Sequence, residues 1–127
     1  MRLTLLGDPR TKKNSQRLVS AGERVIPLAS RAYSEYRDIC LWQIPPPVKV
    51  MGISFPVNLK CVYYMGTRRR VDLCNLIEAT CDILVDAGVL ADDNSRIVAG
   101  HDGSRVLYDK KNPRVEIEIT IIEDHDK

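Results

Sequence analysis

The chain is poor in aromatic residues: they make up 6% of its 127 positions, with a single Trp and a single Phe. An interleaved set of stacking platforms for unpaired bases is therefore not evident, and the adjacent Tyr63 and Tyr64 can turn only one ring to a given face of a strand. No apolar run approaches the roughly 18 residues that would span a membrane. The opening residues, Met1 to Asp8, hold too short an apolar stretch for an export signal, so a cytoplasmic protein is expected. The four cysteines, Cys40, Cys61, Cys74 and Cys81, form no C-x-x-C pair, and His101 and His125 are not spaced to complete a zinc site with them. Reduced thiols are the default for such a set. Charge of one sign is also scarce, since 19 Lys+Arg against 17 Asp+Glu leave only +2. Bulk charge alone thus indicates no polyanionic partner, and its distribution has to carry that argument. Collagen, coiled coil, repeat array, disulfide knot and membrane span are all excluded.

What remains is an ordinary globular composition, 44% hydrophobic and 28% charged. At this length it closes one core and not two, so residues 1–122 are read as a single domain with a frayed acidic tail over 123–127. Leu3 and Leu5 alternate with Arg2 and Thr4, which marks a short opening strand. From Ile53 to Met65 the odd positions are Ile53, Phe55, Val57, Leu59, Cys61, Tyr63 and Met65, a period of two, with Pro56 before the ladder starts. The same alternation returns at Val115, Ile117, Ile119 and Ile121. Arg96 to Gly100 and Ser104 to Tyr108 form two further short strands around the turn-like Asp102-Gly103.

A first helix is expected from Ser30, as N-cap, to about Gln43, where Pro45-Pro46-Pro47 stops it. Its inner positions are Tyr33, Tyr36, Cys40 and Ile44. A second begins at a capping Asp72, turns Leu73, Leu76, Ile77, Thr80, Cys81 and Leu84 inward, and ends at Gly88. The order of elements indicates an α+β fold, a mixed β-sheet with two main helices packed on one face.

Chemistry concentrates in Thr67 to Leu76, where Arg68, Arg69 and Arg70 precede Asp72 at a helix N-terminus, and in Asp92-Asp93-Asn94 one helix later. Hard divalent cations take one or two carboxylates plus waters and substrate phosphate, and arginines beside such a pocket grip flanking phosphates bidentately. The acids stand at opposite ends of a helix about 22 Å long, so they converge only if the following chain doubles back. Without a metal, Asp72 is an N-cap, the arginines a solvated loop and Asp92-Asp93-Asn94 a turn. A second basic cluster, Arg10-Thr11-Lys12-Lys13-Asn14-Ser15-Gln16-Arg17, suits phosphate-backbone contact or, equally, a surface loop. His101-Asp102-Gly103-Ser104-Arg105 is read as a turn between strands, from which Arg105 or His101 could touch phosphate and Asp102 could be an outer metal partner.

The run from Arg68 to Leu76, followed by Asp82 to Asp93, resembles the core motif of the RusA family, small and often phage-borne endodeoxyribonucleases that resolve Holliday junctions. The family pattern is a basic run, Asp-x-Asp-Asn-Leu, a helix, Ala-Gly and Asp-Asp. The likeness is strong over residues 68–98 and also touches Lys12 to Ser15, Ala32-Tyr33 with Tyr36, and the strand from Arg114. It implies a magnesium-dependent homodimer, in which manganese can substitute, that makes paired nicks in four-way DNA. By position Asp72 matches the first catalytic carboxylate and Asp93 the last, with Asp92 beside it, and Asn75 matches the Asn of the motif.

Two departures stand out. Cys74 occupies the place of the second Asp, and Glu78 that of a Lys in the next turn. These positions are four apart and share one helix face, so Glu78 is expected to complete the metal site with Asp72 and Asp93. Cys74 is read as a small filler at a former ligand position. The DNA-gripping set is Lys12, Lys13, Asn14, Arg68, Arg69, Arg70, Asn75 and Arg105. The other reading is a junction-binding or duplex-binding protein that keeps the fold and has lost the chemistry.

Overall fold

The structure is a computed structural model that describes residues 1–12, 17–21, 24–28 and 31–123. In chain order its elements are β1 (Arg2–Leu6), β2 (Arg17–Ala21), β3 (Arg24–Leu28), α1 (Arg31–Gln43), α2 (Pro46–Lys49), β4 (Val57–Met65), α3 (Leu73–Ala87), β5 (Val98–Gly100), β6 (Arg105–Tyr108) and β7 (Arg114–Ile121). Five strands form a mixed sheet. β7 pairs antiparallel with both β1 and β4, while β5 and β6 each pair parallel with the other edge of β4. The α+β reading therefore holds.

The period of two sets which face is buried. Val57, Leu59, Cys61, Tyr63 and Met65 point inward from β4, Leu3 and Leu5 from β1, and Val115, Ile117 and Ile119 from β7. The register puts Cys61 opposite Ile117 and Leu3 opposite Ile117 from the other side, so the inward residues form continuous rows. They join one core with Tyr36, Cys40 and Ile44 of the α1 region and with Leu76, Ile77, Cys81, Ile83 and Leu84 of α3. The alternate residues keep the other face polar, as in the Arg2–Glu118 ion pair at 3.1 Å.

Local chemistry bounds the helices. α1 ends where the triple proline begins, and that same run opens α2, because proline suits a first helical turn whose N–H groups lack partners anyway. The expected cap Ser30 lies outside the described residues. Asp72 caps α3, its Oδ1 accepting from the backbone N–H groups of Cys74 at 2.9 Å and Asn75 at 3.4 Å. Gly88, at φ +86°, closes the far end and donates its N–H to the carbonyls of Leu84 and Val85.

Two features depart from the sequence reading or go beyond it. Asp102-Gly103 is the expected turn between two short strands, but those strands do not pair with each other: β5 and β6 both run parallel to β4 and follow one another along the same edge. Between them side chains replace the ladder. The Asn58 amide pairs with the backbone of Asp102, donating to its carbonyl at 3.1 Å and accepting from its N–H at 2.8 Å, and the Ser104 hydroxyl accepts from the Cys61 N–H at 3.0 Å. The second departure is the antiparallel pair β2–β3, in register from Arg17 opposite Leu28 to Ala21 opposite Arg24. Pro27 inside the second run disguised it, since proline normally argues against a strand.

Candidate functional site

Three segments meet at the C-terminal end of β4. They are residues 66–71, leading into α3; residues 7–12, leaving β1; and residues 109–113, between β6 and β7. Backbone bonds join them, from Gly7 N–H to the Pro113 carbonyl at 3.0 Å and from Asp109 N–H to the Met65 carbonyl at 2.9 Å. Asp8 is the clasp. Its Oδ1 accepts from the Gly66 N–H at 2.9 Å, its Oδ2 accepts from Arg69 Nη1 at 3.0 Å, and the Arg10 guanidinium pairs with it at 3.6 Å. Arg69 also donates to the Thr67 hydroxyl and the Pro9 carbonyl.

The arginine run is thus divided in its roles. Arg69 is spent on holding loops together, Arg68 lies with its guanidinium 4.1 Å from the centre of the Tyr108 ring, and Arg70 is exposed. Lys110 and Lys111 are exposed on the neighbouring turn. Sequence reasoning missed this pair, although Lys110-Lys111-Asn112-Pro113 has the same composition of basic and turn-forming residues as the N-terminal cluster. Arg105 is exposed at the start of β6, away from this rim. Lys13 and Asn14 lie outside the described residues. His101 and Asp102 hold local structure, the imidazole Nδ1 lying 3.2 Å from the Leu59 carbonyl.

The acids occupy the adjoining face of α3. Cys74, Glu78 and Asp82 are spaced four apart and form one row, with Cys74 and Glu78 exposed and Asp82 half-buried. Lys12 reaches this row from the first loop, its Nζ lying 2.5 Å from Asp82 Oδ2 and 5.8 Å from the centre of the Tyr33 ring. After α3, Ile53 bridges to Leu90 and its carbonyl accepts the Ala91 N–H, which turns the chain back toward the helix. Asp92 then accepts from the Asp93 N–H at 2.7 Å and from the Asn94 amide at 3.2 Å, bonds that hold its carboxyl below the usual carboxylate range.

The thiol of Cys81 registers where Asp93 has gone. Burial pushes it up to about 12, and the charges of Cys61, Asp93, Asp82 and Glu78 push the same way. Asp93 and Glu78 are thus both within electrostatic reach of that thiol. Asp72 stays at the helix N-terminus, six residues or about 9 Å along the axis from Glu78. Asn75 sits in the first turn, half-buried, its N–H on the capping Asp72. Among the described residues no group of three or more His, Cys, Asp or Glu side chains is gathered closely enough to hold a metal ion. All four cysteines are free, and only Cys74 is exposed. Among the described residues no helix is long and apolar enough to cross a membrane.

The sequence profile of the family described as Endodeoxyribonuclease RusA matches residues 7–120, from the clasp loop to the end of the last strand. No curated protein matches the chain. With the basic rim and the α3 acids both inside the matched region, the chain belongs to the RusA endodeoxyribonucleases, a family of Holliday junction resolvases.

Proposed function

We propose that this chain, as one domain over residues 1–122, cuts four-way DNA in pairs of nicks with the help of magnesium, which manganese can replace, and that it does so as a homodimer. The observation that carries the reading is the family match over residues 7–120, which takes in the Glu78 and Asp82 row of α3, the Asp92-Asp93 turn after it and a rim of three joined basic loops at the end of β4. Magnesium is normally held by one or two carboxylates, with waters and substrate phosphate filling the other positions. Glu78 and Asp93 would supply carboxylates of that kind. Asp72 adds a third acid at the helix N-terminus, with only its Oδ1 bonded among the described residues. When bound, the ion lowers the pKa of water and neutralises charge developing on the phosphate.

In this mechanism the chain's own residues do the following. Asp93 and Glu78 would face the reacting phosphate and hold the ion when it is bound, with Asp72 and Asp92 supporting them. Asp92, fixed by Asn94, receives the Asp93 N–H and so sets the backbone from which the Asp93 carboxylate projects. A water oxygen forms a new bond to phosphorus while one ester P–O bond breaks; a carboxylate takes the water proton and the departing oxygen is protonated from solvent. Arg68, Arg70, Lys110 and Lys111 bind the flanking phosphates, and Arg69 keeps their loops in register. Two symmetric cuts are most simply made by a two-fold assembly.

Cys74 favours a second reading, binding without cutting, because it puts a thiol where the family carries an acid. A synthetic four-way junction separates the two. Cleavage with magnesium, abolished by Asp93→Asn and at least tenfold slower in Glu78→Gln, with binding retained in both, supports the enzyme. Tight binding with no cutting in any divalent metal supports the second reading.

A further inference from the structure

We infer that Lys12 is the protein cation that contacts the reacting phosphate, and that Asp82 is its positioning residue. The inference rests on the nuclease reading above and moves Lys12 from a remote grip on DNA into the hydrolytic site. Arg10, Arg68, Arg69, Arg70, Lys110 and Lys111 stand on the rim at the end of β4. Lys12 does not: its side chain leaves the first loop and brings Nζ within 2.5 Å of Asp82 Oδ2, in the middle of α3. Asp82 is one turn beyond Glu78 on the same row, and both act on the Cys81 thiol together with Asp93. An ammonium fixed at Asp82 stands one helical turn from the Glu78 position, on the face that the proposed hydrolysis uses.

The pair is built to hold a cation without using it up. Asp82 takes one of the three ammonium donors, and the Tyr33 ring approaches the same Nζ at 5.8 Å, within the range of cation–π attraction. The two side chains are 41% and 30% exposed, so an anion reaches them without displacing the core. The contrast is Arg69, whose guanidinium is committed to Asp8, Thr67 and Pro9 and has its place set by the loops it joins. There is also an electrostatic need. Glu78, Asp82 and Asp93 present three negative charges to a phosphodiester that is itself negative, and a fixed cation offsets part of that repulsion where charge develops in the transition state.

The test uses the full chain on a synthetic four-way junction with magnesium, in single turnover with protein in saturating excess. Junction affinity is measured separately without divalent ion, and melting temperature for every variant. Lys12→Met keeps an unbranched stem over Tyr33 and removes the charge; it is expected to cut about 100-fold more slowly at saturation, with affinity within threefold of the parent. Lys12→Arg should recover much of that rate. Asp82→Asn should slow cutting about tenfold at saturation while leaving affinity unchanged, a split that a mere latch between loop and helix would not produce. The inference is overturned if the parent cuts and Lys12→Met retains its rate at saturation within twofold, or if the losses simply follow affinity or melting temperature. A parent chain that binds the junction but cuts it with no divalent metal overturns the nuclease reading and this inference with it, an outcome visible before any variant is made.

Discussion

Gly88 connects the stability of the fold to the position of Asp93, and replacing it with alanine tests that connection. Its φ of +86° lies in the left-handed region, where an L side chain costs about 1–2 kcal/mol. A Cβ there would also run into the Lys49 carbonyl oxygen, and that obstacle is backbone, which cannot rotate away. To make room, the end of α3 must part from α2. The contact at risk is the bond from Gly52 N–H to the Gly88 carbonyl at 2.9 Å, with the Ile53 N–H bond to the Val89 carbonyl beside it. Losing two such bonds adds about 1–3 kcal/mol, so Gly88→Ala should destabilise the chain by about 2–5 kcal/mol. Gly52 supplies the control. It too has a positive φ, +49°, but a Cβ there meets nothing within 4 Å, so Gly52→Ala should cost only the backbone term of about 1–2 kcal/mol.

Urea unfolding followed by far-ultraviolet circular dichroism gives both values from shifts in midpoint, provided the slope is unchanged. The expected difference between the two variants is the hydrogen-bond term, about 1–3 kcal/mol. Equal costs would refute the steric argument. The functional consequence follows from sequence distance, because Asp93 is only five residues past Gly88. A displaced exit from α3 should lower cleavage of four-way DNA well beyond the fraction unfolded, since an error of about 1 Å in a reacting group costs on the order of 100-fold.

Other outcomes follow from the same structure. Asp8→Ala removes a negative charge from a basic rim, so charge counting predicts tighter DNA binding; because Asp8 clasps Gly66 and Arg69, we expect weaker binding to four-way DNA at low salt, and tighter binding would show that the clasp organises nothing. Thr80→Val should cost about 1–3 kcal/mol in urea unfolding. The Thr80 hydroxyl donates to the Leu76 carbonyl at 3.0 Å and accepts the Tyr63 hydroxyl at 2.7 Å, and valine strands that buried phenol. Stability should also fall at alkaline pH. Burial raises Cys61 and Cys81 to about 12 and Cys40 to about 11, from an ordinary value near 9. Above pH 9 the unfolded chain loses these protons while the folded one keeps them. Each thiol then tilts the balance toward unfolding by about 1.4 kcal/mol per pH unit until its folded value is reached. A melting temperature that is flat from pH 9 to 11 would contradict this.

How far the sequence could be read depended on the distance over which each feature is decided. β4, β7 and α3 were legible because their signals are local: alternation along one strand, an acid at the start of a helix, a glycine at its end. The two edge strands were legible as strands but not as partners of β4, because their parallel placement depends on Asn58 and Ser104 standing in for ladder bonds across more than 40 residues of chain. For the site, the sequence could state only a condition, that the chain after α3 must turn back; the bridge from Ile53 to Leu90 is what meets it, and no pattern near Asp93 announces it. The arginine run sets the limit most clearly. Arg68, Arg69 and Arg70 are equivalent in any reading of composition, yet Arg69 is bound by an Asp8 that lies 61 residues earlier, while Arg70 is left exposed to solvent. A count of charges therefore overstates the cations available to DNA by those the fold has consumed, and omits those, such as Lys110 and Lys111, that the topology delivers to the same rim from elsewhere.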